Sequence, residues 1–361
     1  MRVCVYAICK DESQFVDRWM DSMLEADLVI VLDTGSNDDT VEKLRKRGAQ
    51  VTTEIITPWR FDVARNKSLS LVPDDIDICV CTDLDEVFAP GWRRALEAAW
   101  RPSVAQASYR YIWSFNSDGS EGVVFWIEKA HKRHGFQWTH PVHEVLTWKG
   151  PGEKGMTVLA DGVLLKHYPD ASKSRGQYLP LLELSVQEDP DDDRNMHYLG
   201  REYLYKGQWQ RCIETLTHHL AMERAVWIDE RCASMRYIAQ AYLALGDNKQ
   251  AKIWYLRAVA EAPHLREPWL DFAKFAYINQ DWYLLIWLTE QALAIKDRPK
   301  TYITAADSWS SLPYDLSSIG YYYIGKYDAA LECVDKAIQL DPKNRRLLNN
   351  KELIVEKIQA V

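Results

Sequence analysis

Three carboxylates crowd the end of one apolar run: Asp83, Asp85 and Glu86 follow Ile76-Asp-Ile-Cys-Val-Cys81, with Thr82 and Leu84 between. A strand covered on both faces is apolar throughout, so acids at its C-terminal tip mark the edge of an open α/β sheet, where such sheets bind ligands. Carboxylates one residue apart can grip a divalent cation, and a cation placed there offsets the charge of a diphosphate. The same acids equally suit a strand-to-helix turn, capping a helix near Pro90-Gly91. A lone Asp-x-Asp does not choose between the two.

Its neighbours in the sequence carry groups of the same kind. Residues 3–8 close on Cys9-Lys10-Asp-Glu12, residues 28–32 close on Asp33-Thr-Gly-Ser-Asn-Asp-Asp-Thr40, and Trp59-Arg-Phe-Asp-Val-Ala-Arg-Asn66 leads into a helix. Gly35 permits a tight turn, and Ser36, Asn37 and Asp38 suit the cap of the helix that follows. Arg65, near a helix start, suits either phosphate oxygens or a surface ion pair. His131, His134, His140 and His143 are spaced superficially like zinc ligands, but no cysteine joins them.

These groups need elements to position them. Residues 3–8, 28–32, 51–56 and 76–81 read as strands, with helices between them, including one over 65–71. That alternation argues for parallel βαβ units with right-handed crossovers. Across ~104–170 the text turns aromatic and β-rich, with turn signals at Ser117-Asp-Gly and Lys149-Gly-Pro-Gly, which predicts antiparallel additions to the sheet. From Asp193 onward helical periodicity takes over. Leu199-Gly200, Tyr203, Gly207, Trp209, Cys212 and Leu216 are echoed by Ile238-Ala239, Tyr242, Gly246, Ala251, Tyr255, Ala258 and Pro263. A degenerate copy follows around Phe272-Ala273 and Trp282, and a last one at Tyr321, Gly325, Tyr327, Ala330, Ala337 and Pro342. Small residues let paired helices approach and aromatics fill between them.

Taken together, Lys10-Asp-Glu, Asp33-Thr-Gly-Ser-Asn-Asp-Asp-Thr, Ala64-Arg-Asn and Asp83-Leu-Asp-Glu resemble the nucleotide-sugar domain of family 2 glycosyltransferases, the GT-A fold. The resemblance covers residues 1–90. It implies that Asp33 meets the uracil or ribose of a UDP-sugar and that Arg65 and Lys10 meet its phosphates. Asp83 would be shared between ribose and metal, and Asp85 would bind Mn²⁺ or Mg²⁺ directly. Val142-His143-Glu144 resembles the family's hairpin ending, which makes Glu144 the base and puts His143 behind it. His167, in His167-Tyr168, either completes the metal's coordination or is a buried histidine bonded to backbone. Leu84 and Asp11 depart from the family's usual small residue and asparagine.

The later text resembles tetratricopeptide repeats. The expected architecture is therefore a GT-A α/β domain over 1–175, followed by an all-α solenoid over 190–361. The implied function is metal-dependent, inverting transfer of a sugar to an acceptor, a peptide or protein held by the repeats or a glycan. The other reading is a repeat scaffold whose nucleotide domain is inactive. The repeats also offer a surface for self-association.

Composition bounds these readings. A chain of 361 residues suits two domains, and a net charge of −8 disfavours nucleic acid and anionic membranes as partners. Seven scattered cysteines read as buried thiols in a reducing compartment, and no run approaches a membrane span, so a cytoplasmic protein is expected.

Overall fold

Four short apolar runs make the parallel heart of the first sheet. In a computed structural model that describes residues 1–116, 119–170 and 176–360, these are β1 (Val3–Cys9), β2 (Leu28–Asp33), β3 (Gln50–Thr53) and β4 (Ile78–Cys81). Every residue of β1 and β4 is buried, so neither strand shows polar alternation. Between them run α1 (Ser13–Met23), α2 (Thr40–Lys46) and α3 (Phe61–Ser70). The third strand stops at Thr53 and α3 starts at Phe61, each a few residues earlier than periodicity suggests.

Then come β5 (Glu86–Phe88), α4 (Trp92–Ala99), β6 (Val104–Ile112), β7 (Val124–Lys132), β8 (Phe136–Thr139), β9 (Val145–Trp148), β10 (Met156–His167) and α5 (Tyr178–Glu188). Eight strands form one mixed sheet in the order β3-β2-β1-β4-β7-β6-β10-β5, and β8 and β9 form a separate hairpin. The aromatic strand β7 runs antiparallel to both β4 and β6. The turn expected at Ser117-Asp118 lies outside the described residues.

Parallel register puts several strand ends on one edge. Cys9 pairs with Asp33, so β1 and β2 finish together, and β4 ends on the same edge opposite Tyr6. The end of β10 arrives from the other side: His167 pairs with Glu86 across an antiparallel ladder, and the Tyr168 amide donates to the Asp85 carbonyl at 2.8 Å. Glu86 thus opens a strand. Helix α4 begins at Trp92 behind Gly91, with no side-chain cap, which removes the capping reading of the acidic tip. Leu84 is fully buried in the core with Trp19, Trp92 and Tyr109, so its bulk packs inward.

The chain divides into two compact units, Met1–Ser185 and Val186–Val361. The second is helical: α6 (Asp193–Tyr205), α7 (Trp209–Ala221), α8 (Ile228–Ala244), α9 (Asn248–Glu261), α10 (Arg266–Ile278), α11 (Trp282–Ala294), α12 (Leu312–Tyr323), α13 (Tyr327–Leu340) and α14 (Arg345–Gln359). Each helix packs on the next, the nearest-neighbour stacking of a solenoid. Asp192, Asp247, Asp281 and Asn344 cap their helices through side-chain oxygens, as short polar residues before a helical run should. Left-handed turns inside the helix pairs fall on Gly207, Gly246 and Gly325, and in the degenerate third pair on Gln280, at φ 55. Among the described residues no helix is long and apolar enough to cross a membrane. All seven cysteines are free thiols, six of them buried.

Candidate active site

The acidic tip is folded back on itself and held by cations. Thr82, past the end of β4, accepts a hydrogen bond from Trp19 Nε1 at 3.1 Å. At the next residue the Asp83 amide donates to Glu86 Oε2 at 2.9 Å. Glu86 is only 1% exposed. Tyr111 Oη donates to its Oε1 at 2.8 Å. Lys129 Nζ lies 2.9 Å from the same oxygen and 3.3 Å from Asp83 Oδ2. From the other side, Arg65 Nη2 donates to Asp83 Oδ1 at 2.8 Å, and Arg65 Nε donates to Glu144 Oε1.

This network sets its own protonation. Burial works against ionisation of Asp83, yet Arg65 and Lys129 outweigh it and hold the carboxyl well below the usual carboxylate range. Burial likewise disfavours the charge on Lys129, and Asp83 and Glu86 more than reverse that, pushing its pKa up. Arg65 responds in the same sense, with Asp83 and Glu144 overriding its desolvation. Arg65, Lys129, Asp83, Glu86 and Glu144 thus meet in one cluster joining α3, the turn after β4, β5, β7 and the loop before β9.

Asp85 turns away from that cluster toward β10. Its Oδ2 lies 3.3 Å from His167 Nε2, while His167 Nδ1 lies 3.0 Å from the Trp113 carbonyl oxygen. A carbonyl only accepts, so the bond to Trp113 assigns the ring hydrogen to Nδ1 and leaves Nε2 facing a carboxylate. Two lone pairs at that distance repel unless a proton or a metal ion lies between them. Burial alone would lower the imidazole pKa, and the bond to Asp85 more than offsets it and raises it. A histidine braced through Nδ1 by a carbonyl, with Nε2 beside a carboxylate, is the arrangement proteins use to present imidazole to a metal. His167 is thus bonded to backbone through Nδ1, though only partly buried, and presents Nε2 to Asp85.

The other residues singled out in the sequence occupy different surroundings. Asp33 is 1% exposed, and its carboxylate accepts from the Ser36 amide at 3.0 Å and the Ser36 hydroxyl at 2.6 Å, so it shapes its own loop. Gly35, at φ 105, gives that loop a backbone conformation open only to glycine. Asp38 accepts from Thr40 and from the Ser13 amide, tying the loop to the start of α1. Lys10 is exposed at the end of β1, and among the described residues neither it nor Asp33 is hydrogen-bonded to the Arg65–Lys129 cluster. His143 sits at φ 52 with its ring 5.8 Å from that of Tyr178. The histidines do not converge: His131 is buried with Nε2 2.8 Å from Tyr6 Oη, and burial pushes its pKa down to about 4, while His134 lies out beside Asp74.

Sequence reasoning missed Lys129 and Tyr111. The acids they meet lie on β5 or the turn before it, 25 to 46 residues away, and a lysine within Val124–Lys132 reads as a solvent-facing residue until β7 is paired with β4. Among the described residues, the three-donor group whose ligand atoms all lie within 4.8 Å of one another is elsewhere, in the second unit: Asp193, His219 and Glu230.

The molecule thus combines an α/β unit with a charged strand-end cluster and a unit of stacked helical hairpins. Residues 238–264 and 320–344, which cover parts of α8–α9 and α12–α13 and the turns after them, match the tetratricopeptide repeat family. No curated protein matches the chain. Among solved structures, it is similar to a thermophilic TPR protein of Thermus thermophilus, at 20% identity and a TM-score of 0.36 over 49% of this chain and 88% of that one. It is also similar to MamA, at 16% identity and a TM-score of 0.38 over 50% of this chain and 99% of that one. A third is YrrB, described as a TPR protein with an unusual peptide-binding site, at 17% identity and a TM-score of 0.36 over 48% and 81% of the two chains.

Proposed function

We propose that the first unit is a GT-A-type nucleotide-sugar domain and that the protein is a metal-dependent, inverting glycosyltransferase using a UDP-sugar. The Asp85–His167 pair carries this reading: a carboxylate and a braced imidazole, 3.3 Å apart, on the edge where β1, β2 and β4 end. Mn²⁺ or Mg²⁺ bound by these two residues would offset the charge that builds on the departing diphosphate. Arg65 and Lys129 keep Asp83 ionised, ready to accept hydrogen bonds from a ribose. Asp33 and Gly35 hold the loop against which the nucleotide base would lie, and Lys10 stands exposed for the phosphates. Glu144, oriented by Arg65 and backed by His143, is the proposed base that takes the proton of the acceptor.

The acceptor side rests on the repeats. They leave Tyr205, Tyr283, Trp287 and Tyr323 exposed, which suits an aromatic-lined surface for a peptide or protein. A second reading has an observation of its own. The cluster already matches Asp83 with Arg65 and Lys129, as a unit retained only as a scaffold for partner binding would.

Titration calorimetry with UDP-sugars separates the two. The transferase reading expects donor binding that requires Mn²⁺ and is lost in Asp85→Ala, with the unfolding curve unchanged. It expects Glu144→Gln to bind donor but not transfer. Failure of every UDP-sugar to bind in the presence of Mn²⁺ selects the scaffold.

A further inference from the structure

The second unit contains a buried histidine nitrogen that makes no well-formed hydrogen bond and has a carboxylate 3.5 Å away. His219 is fully buried on α7, and its Nε2 has no hydrogen-bond partner. Unpaired buried polar atoms are rare and ask for an explanation. This one points at two carboxylates: Glu230 Oε1, on α8, lies 3.5 Å away, and Asp193, in the first turn of α6, completes a group within 4.8 Å. We propose that Asp193, His219 and Glu230 bind a divalent transition-metal ion of the zinc type, at a site distinct from the sheet edge.

The chemistry of the donors supports this. One imidazole and two carboxylates neutralise a divalent ion and match the mixed nitrogen–oxygen sets that zinc accepts. Bonds of about 2.1 Å in a tetrahedron set ligand atoms about 3.4 Å apart, close to the separation of His219 from Glu230. The supporting contacts are those of a metal site as well. His219 Nδ1 lies 3.0 Å from Ser234 Oγ, and Ser234 Oγ lies 2.8 Å from His197 Nδ1. In the tautomer that loads the ion, His219 donates to Ser234 and Ser234 donates to His197, which leaves the Nε2 lone pair aimed at the carboxylates. Tyr302 donates to Glu230 Oε2, so Oε1 remains for the metal. Asp193 is half-buried, which gives the ion a way in. Because α6, α7 and α8 each supply one ligand, the ion would pin the first helical pair to the second.

The test uses the full chain carrying Asp85→Asn and His167→Gln, which silences the sheet edge, after treatment with a chelator. Zn²⁺ alone is titrated in by calorimetry, and melting is followed with and without it. One equivalent should bind and the melting temperature should rise. Adding Asp193→Asn, a change at the half-exposed ligand, should weaken binding at least tenfold and abolish the rise while leaving the metal-free melting temperature in place. Ser234→Ala should weaken it by about 10–100-fold. The proposal is overturned if the folded parent takes up no Zn²⁺, or if Asp193→Asn binds it as the parent does; His219 and Glu230 are then a plain buried pair.

Discussion

At the scale of single residues, the edge of the sheet is a balance of charge more than a row of acids. Lys129 has 14% of its side chain exposed and stands between Asp83 and Glu86, which has 1%. Removing one partner of a buried ion pair leaves the other uncompensated, which costs about 3–5 kcal/mol. Lys129→Met should therefore lower the unfolding free energy by about that amount in urea titrations at neutral pH; a loss below about 1 kcal/mol, the range of surface pairs, would show that solvent screens the cluster. The acid side has a definite sign. Asp83 is held below its unfolded pKa, so its contribution is complete above about pH 4 and is lost as pH falls further. Of these residues, Asp83, Asp85 and His167 stood out as candidates because acids at a strand tip and histidine at a strand end announce themselves in one dimension. Lys129 and Tyr111 were not, because their relevance depends on which strand lies beside them.

Among the elements, small residues and turns decide the packing. A Cβ on Gly200 would lie 2.2 Å from Leu216 Cδ2, and Leu216 is fully buried on the facing helix α7. Since α7 has no free space there, Gly200→Ala should destabilise the second unit by about 1–3 kcal/mol through overpacking. Thermal unfolding followed by circular dichroism measures this, and a neutral result would mean that α6 and α7 can separate slightly without loss. The repeat period was visible because each helical pair repeats the same close approach. The third pair was hardest to read, since Gln280 adopts the left-handed turn where its counterparts have glycine. The helix caps were equally local: Asp192, Asp247 and Asp281 precede the helical run they cap. Glu86 went the other way. Its neighbours allowed a cap, and only pairing of β5 with β10 made it the first residue of a strand.

For the molecule as a whole, the two units have separate cores, one around Trp19, Trp92 and Tyr109 and another around Leu270, Phe272 and Leu285. Under the proposed transferase function, a fragment ending after Asp189, which keeps α5 whole, should unfold cooperatively and bind a UDP-sugar with the affinity of the full chain, while losing transfer to a peptide acceptor. Calorimetry and a transfer assay on the same fragment measure both. Equal loss of the two would show that the repeats support the first unit instead of presenting an acceptor. The alternation of strand and helix, the switch to helical repeats near Asp193, the acidic tip and its companion strand ends are properties of the sequence itself, because periodicity, turn residues and caps act over a few neighbours. Which acid meets which cation was decided only by the tertiary structure. Arg65 lies 79 residues from Glu144, and Lys129 lies 46 from Asp83. The same holds for Asp193, His219 and Glu230, which share a site because α6, α7 and α8 stack. Charge and metal chemistry depend on distances of a few ångströms, and the chain sets those only when strand order and helix stacking bring remote residues together.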